Sequence, residues 1–308
     1  MRTAFISHND CLKHEMIYGH PEQPERLHAI QDQLVRSGIF DHLLHYQAPL
    51  ASTEQLARAH DMLYIDEILS QNPEPNRLIH IDPDTFMNQY TTAAALRAAG
   101  AAILATDLVI TQEIENAFCC VRPPGHHAER RQAMGFCFFN NIAVAAKHAL
   151  AEHGLERVAV VDFDVHHGNG TEDIFYDDPR VMVCSAYQYP LYPFSGRDTI
   201  PGHLINVPKG RGLLGQEFRD AISERWLPEL EAFKPQMLFI SAGFDGHYED
   251  DLAQWNLVES DYAWITRKLM QCADHYASGR VVSCLEGGYA LSALGRSVTA
   301  HIKTLMEG

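Results

Sequence analysis

An α/β fold, with one parallel sheet covered by helices on both faces, follows from three observations on the sequence. Short apolar runs rich in β-branched residues recur at Ala117–Val121, Arg157–Asp162, Met237–Ala242 and Val281–Leu285, the pattern of strands buried on both sides. Stretches of helical periodicity lie between such runs, and strands alternating with helices make parallel crossover units. Each of the four runs is followed by glycine together with His, Asp, Glu or Tyr. In open α/β sheets the carboxyl ends of the strands are where ligands bind.

The elements follow in order. Arg2–Ser7 reads as a first strand, and Pro24–Ser37 as a helix with Pro near its start and Gly38 after its end. Thr53–Ala59 and Met62–Ser70 look helical and precede a Pro/Asn loop over Asn72–Asn76. Ile81-Asp82-Pro83-Asp84-Thr85 is a loop leading to an Ala-rich helix from about Tyr90 to Thr106. Asn140–His153 is helical and closes at Gly154. Arg180–Ser185 and Leu204–Val207 read as strands, and Gln216–Phe233, Ser260–Ala277 and Leu291–Met306 as amphipathic helices.

The chain has 308 residues, 46% hydrophobic and 21% charged, an ordinary globular composition. No linker, repeat or composition shift divides it, so residues 1–308 are expected to form a single domain. Seven scattered cysteines, several inside apolar runs, suit reduced buried thiols better than a disulfide framework. The N-terminus turns polar too early for a signal peptide. The most apolar stretch, Ala98–Ile110, is about a dozen residues, shorter than a membrane span requires. A cytoplasmic protein without membrane or nucleic-acid partners is expected, since a net charge of −16 offers no basic face to a phosphate backbone. Such a charge suits cationic substrates. Homo-oligomerisation stays open.

The richest segment is Asp162-Phe163-Asp164-Val165-His166-His167-Gly168-Asn169-Gly170, which ends a buried strand. Residues two apart on a strand face the same way, so Asp162, Asp164 and His166 can project from one side. Two carboxylates and an imidazole buried together are costly unless a cation holds them. The other strand ends carry Gly125-His126-His127, Gly243-Phe244-Asp245 and Glu286-Gly287-Gly288-Tyr289. Singly, each has a plainer reading: a helix cap for Asp245, a solvated pair for the histidines, a strand-to-helix turn for Glu286–Tyr289. Together they make complementary hydrolytic chemistry.

These segments, with Gly135-Phe136-Cys-Phe-Phe-Asn140-Asn141 and Gly19-His20-Pro21-Glu22-Gln23-Pro24-Glu25-Arg26, resemble the zinc-dependent histone deacetylase family. Its superfamily also holds acetylpolyamine amidohydrolases and acetoin-utilisation proteins. The resemblance runs from about residue 5 to the C-terminus in family order, and Asn169 in place of the usual class I Asp is similar to the class II and bacterial branch. It implies the arginase/deacetylase fold, a single eight-stranded parallel sheet flanked by helices on both faces.

The resemblance implies one zinc ion per chain on Asp164, His166 and Asp245, leaving positions open for water and a substrate oxygen. It makes His127 the general base and then acid, and His126 its electrostatic partner. Asp162 and Asn169 would orient the two imidazoles, and Asn169 should leave His127 less basic than an aspartate would. Tyr289 would stabilise the oxyanion of amide hydrolysis, with Gly287 and Gly288 giving its loop freedom. A monovalent cation, K+, is implied at an inner site of Asp162, Asp164, His166 and Ser185, and at an outer one of Phe175, Asp178 and Val181. The expected substrate is an acylated lysine in a protein or peptide, or a small acylated amine, entering a narrow apolar channel. Its walls are Gly135, Phe136 and Tyr192, with core packing the alternative for Phe136; Phe194 could add bulk at the entrance. Asp84 matches a rim aspartate, against an N-cap or Asx turn at Asp84-Thr85. Leu252 falls where acetylpolyamine hydrolases carry an acidic gatekeeper, although Glu249, Asp250 and Asp251 crowd that loop. A dinuclear manganese hydrolase lacks its second aspartate cluster here, and an inactive acyl-lysine binder would lack a ligand, the base or the tyrosine.

Overall fold

A computed structural model describes residues 1–71, 73–196 and 199–308; Asn72, in the expected Asn72–Asn76 loop, lies outside the described residues. The chain begins with β1 (Thr3–Ser7), α1 (Glu25–Arg36), β2 (Leu44–Gln47), α2 (Thr53–Leu56) and α3 (Met62–Ser70). A small hairpin of β3 (Ile79–His80) and β4 (Phe86–Met87) precedes α4 (Thr91–Ile110). Then come β5 (Asn116–Cys119), α5 (Asn141–Glu152), β6 (Val158–Asp162), α6 (Asn169–Phe175), β7 (Val181–Gln188) and β8 (Leu204–Lys209). The chain closes with α7 (Gly215–Phe233), β9 (Leu238–Ala242), α8 (Glu259–Tyr276), β10 (Val281–Leu285) and α9 (Leu291–Glu307).

Eight strands form one sheet in the order β2-β1-β5-β10-β9-β6-β7-β8, and every neighbouring pair is parallel. This is the single eight-stranded parallel sheet that the resemblance implies. Helices α1, α9, α8 and α7 pack in series, and α4 packs on α5. The central strands β5, β10, β9 and β6 are buried at every position, which explains their unbroken apolar runs.

Several elements were not expected. β2 is an edge strand of Leu-His-Tyr-Gln, largely exposed, so it has no apolar signature to read. The β3–β4 hairpin occupies what reads as loop because each strand is two residues long. α6 starts directly behind the His-His-Gly motif, where Gly168 and Gly170 signal a break rather than a helix. α4 is also longer than expected: its 20 residues are apolar enough to cross a membrane by length and composition alone, yet two thirds of that window is buried, against β1, β5, β10 and α5. All seven cysteines are free, and all but Cys272 are buried.

Candidate active site

The four chemistry-bearing strands are immediate neighbours in the middle of the sheet, in the order β5-β10-β9-β6. Their carboxyl ends therefore deliver His126-His127, Glu286–Tyr289, Asp245 and Asp162–His166 to one place. Asp164, His166 and Asp245 offer three ligand atoms within 4.8 Å of one another. His166 Nδ1 lies 3.0 Å from Asp164 Oδ1 and 3.1 Å from Asp245 Oδ2. Those separations are close to what a tetrahedral ion with bonds of about 2.0–2.2 Å needs.

The electrostatics ask for a cation. Burial and the Asp164 charge push Asp245 up to about 6. Burial works against the His166 imidazolium, yet Asp245 and Asp164 raise it to about 10. Gly287 donates its N–H to Asp164 Oδ2 at 2.8 Å, and a Cβ there would sit 2.0 Å from Asp245 Oδ2, so only glycine permits this approach. Conformational freedom is needed at the next residue, Gly288, with φ of 118°.

The paired histidines sit in different environments. His126 Nδ1 bonds Asp162 Oδ2 at 2.9 Å; burial opposes its charge, but Asp164 and Asp162 hold its pKa well above 6.5. His127 Nδ1 bonds Asn169 Oδ1 at 2.7 Å, and burial together with His126 and His166 keeps it well below 6.5. One imidazole is held charged and the other neutral, which separates acid and base roles. Gly135, at φ of 54°, lies against the His127 ring, where any Cβ would come within 2.5 Å of Cδ2.

A cavity of about 200 Å³ opens above these groups, lined by Asp84, His127, Gly135, Phe136, His166, Leu191, Tyr192, Leu252 and Tyr289. Tyr192 stands edge-on to His127, and Phe136 edge-on to Tyr289. Phe136 is therefore wall rather than core. Phe194 is 72% exposed and is not among the lining residues. The Asx acceptor in the β3–β4 turn is Asp82, whose Oδ1 receives the Asp84 N–H, and Asp84 is an exposed residue on the cavity lining. Burial keeps the Tyr289 phenol protonated, well above 10, with Arg26 opposing. Of the residues assigned to cations, Ser185 pairs in register with Asp162, and its buried Oγ has no hydrogen-bond partner among the described residues. Near Val181, the Asp178 carboxylate is bound by Lys147 and Arg180.

Some contributors carry no obvious signal in the sequence. Buried Glu22 pairs with Arg122 and Arg26. Arg26 in turn donates to the carbonyl of Gly288 at 2.7 Å and lies over the Tyr289 ring. Glu286 receives the backbone N–H groups of Gly125 and His126. Asp250 receives those of Leu252, Tyr289 and Ala290. Their segments stand out, but the direction of each carboxylate depends on loops distant in sequence. Elsewhere, Asp107, His148 and His153 cluster like metal ligands. Arg58, however, donates to His148 Nδ1 at 2.6 Å, which leaves the proton on Nε2, facing Asp107: an ion-pair network. The larger surface groove of about 490 Å³ beside it holds Arg58, Lys147 and Arg180, all already paired with carboxylates.

Residues 20–305 match the family described as histone deacetylase domain. The chain is 37% identical to a probable deacetylase of Archaeoglobus fulgidus, over 94% of this chain and 82% of that one. It is 38% identical to a histone deacetylase-like amidohydrolase of Pseudomonas aeruginosa, over 88% and 73%. It is 35% identical to a polyamine deacetylase of Mus musculus, over 99% of this chain and 48% of the longer relative. The crystal structure of the HDA15 HD domain superposes with a TM-score of 0.92 at 34% identity, covering 99% of this chain and 88% of that one.

Proposed function

Because this chain belongs to the histone deacetylase family and is a hydrolytic deacetylase, we propose that it removes acetyl or other acyl groups from the ε-amine of lysine, with one zinc ion held by Asp164, His166 and Asp245. The observation that carries the reading is the meeting of this ligand set, His127 and Tyr289 at one apolar cavity. An ion bound there supplies Lewis acidity toward the amide carbonyl and makes water more acidic. His127, neutral with Nε2 as its free end, takes the proton of the attacking water and passes it to the leaving amine. His126, charged between Asp162 and Asp164, stabilises negative charge developing beside it. The Tyr289 hydroxyl donates to the carbonyl oxygen as it gains charge, and Arg26 and Asp250 hold its loop. Phe136 and Tyr192 flank the four-carbon stem.

Leu252 supports lysine over polyamine. Glu249 is paired with Arg296, and Asp250 is spent on backbone N–H groups, so two of the three acids in that loop are occupied elsewhere. A second reading, acetylpolyamine hydrolysis, is favoured by Asp84, an exposed acid on the cavity lining with the charge to meet a distal ammonium. A K+ ion at Asp162, Asp164, His166 and Ser185 belongs to the proposal and is supported by the orphan Ser185 hydroxyl; the outer site at Phe175, Asp178 and Val181 rests on the resemblance. The reading is of a cytoplasmic enzyme in which residues 1–308 act as one catalytic unit. Metal analysis of the purified protein, with turnover of acetyl-lysine peptides, longer acyl-lysines and acetylpolyamines, tests it. Zinc near one per chain and fastest turnover of an acyl-lysine are expected; an acetylpolyamine outpacing every acyl-lysine would overturn the substrate assignment.

A further inference from the structure

We infer that Glu129 is a positioning residue that sets the tautomer of His127 through the side-chain amide of Asn169. The inference rests on His127 acting as the base. Asn169 stands between the two, with Oδ1 2.7 Å from His127 Nδ1 and Nδ2 donating to Glu129 Oε1 at 2.8 Å. A primary amide has an acceptor at one end and a donor at the other, so it can meet Nδ1 in two ways. With its oxygen inward, Nδ1 carries the proton and Nε2 keeps a lone pair for the water. With its nitrogen inward, the proton moves to Nε2 and the histidine can no longer act as a base.

A carboxylate only accepts. Placed behind Asn169, Glu129 can bond Nδ2 alone, and this charge-assisted contact holds the amide oxygen toward His127. The other acceptors near Nδ2, the His127 carbonyl at 3.5 Å and Met134 Sδ at 3.3 Å, are at the outer limit of hydrogen bonding or weak by nature. Glu129 is itself held. Its N–H donates to the carbonyl of Gln132, and its carbonyl accepts from His60 Nδ1, both at 2.9 Å. An aspartate at position 169 would need no such partner, since both its oxygens accept. With asparagine there, the negative charge sits one residue farther out, and the direction of the amide becomes something the protein must decide.

The test combines steady-state kinetics on an acetyl-lysine peptide, metal content and ¹⁵N shifts of the His127 imidazole, which report the tautomer without turnover. Glu129→Leu should move His127 toward the Nε2–H form. It should lower kcat by between about tenfold and 10⁴-fold, the upper figure being the loss when a catalytic histidine is held in the wrong tautomer, with KM and bound metal little changed. Glu129→Gln, which can still present an oxygen, should lose less. Asn169→Asp alone sets two carboxylates face to face and should lose activity. Adding Glu129→Gln to it supplies a donor and should recover most of that loss, a rescue no simple packing role predicts. Wild-type kcat and tautomer in Glu129→Leu, or a double variant no better than Asn169→Asp, would overturn the inference. A wild-type protein inert toward every acylated amine would instead sink the functional reading, while the ¹⁵N shifts would still decide this one.

Discussion

Three side chains supply every ligand atom of the central cluster, so in the proposed zinc site the loss of any one leaves only two. Asp164→Ala, His166→Ala and Asp245→Ala should each lower bound divalent metal and abolish turnover; a variant keeping both would remove that residue from the site. His127→Ala should retain metal while losing about 10²–10⁴-fold in kcat, the usual worth of general acid–base catalysis. His126→Ala proving far worse than His127→Ala would reverse the two roles. Leu252→Glu should shift preference toward acetylpolyamines by about tenfold to a hundredfold. That is what a partly desolvated carboxylate–ammonium contact of about 1.5–3 kcal/mol is worth, and competition between acetylspermidine and an acetyl-lysine peptide measures it. Ligands, histidines and tyrosine are all legible as residue types at strand ends. Asp250 and Glu129 were not, because their carboxylates act on N–H groups 39 and 40 residues away in sequence.

At the scale of elements, the strand runs and long helices follow from periodicity, whereas β2, α6 and the β3–β4 hairpin do not. Each of these three is short, and its stability comes from its neighbours rather than from local propensity. The link from α1 to the tyrosine loop is of this kind too. Glu22, Arg26 and Arg122 are fully buried and form one charge network, with Arg26 reaching the carbonyls of Gly288 and Glu286. Glu22→Gln leaves two buried guanidiniums with no carboxylate partner and should cost about 3–5 kcal/mol, read from urea denaturation. A loss below 1 kcal/mol would mean that the two arginines find other anions. Turnover should fall with it, because Arg26, which donates to the Gly288 carbonyl beside Tyr289, would lose its carboxylate partner.

Over the whole molecule, acid stability depends in part on buried imidazoles outside the Asp164–His166–Asp245 cluster. His60 is driven down to about 4 and His301 to about 3, both by burial. His301 Nδ1 faces Thr266 Oγ1, which itself donates to the Tyr262 carbonyl, so Nδ1 carries the proton and Nε2 accepts from Ser283. The unfolded chain protonates such groups near 6.5 while the folded chain does not. Their contribution is therefore whole above that pH and is lost as pH falls toward the folded values, by about 2 kcal/mol each at pH 5. Denaturation at pH 7.5, 6 and 5 should show the decline, and in NMR neither ring should titrate above pH 5. A native ring titrating near 6.5 would remove it from this account.

The sequence by itself determined the fold class, the strand ends and the chemistry they carry, because a buried strand writes its environment into consecutive residues and a catalytic group must be of a particular type. Only the tertiary structure decided that the second, third, sixth and seventh of seven recognisable strands lie side by side as β5-β10-β9-β6. The same holds for the polar edge strand that completes the sheet, and for which carboxylates face the candidate metal ligands and which face backbone N–H groups. Strand order and side-chain direction are set by contacts between segments a hundred or more residues apart, such as Arg122 with Glu22 and Gly287 with Asp164, and no local pattern encodes a distance of that kind.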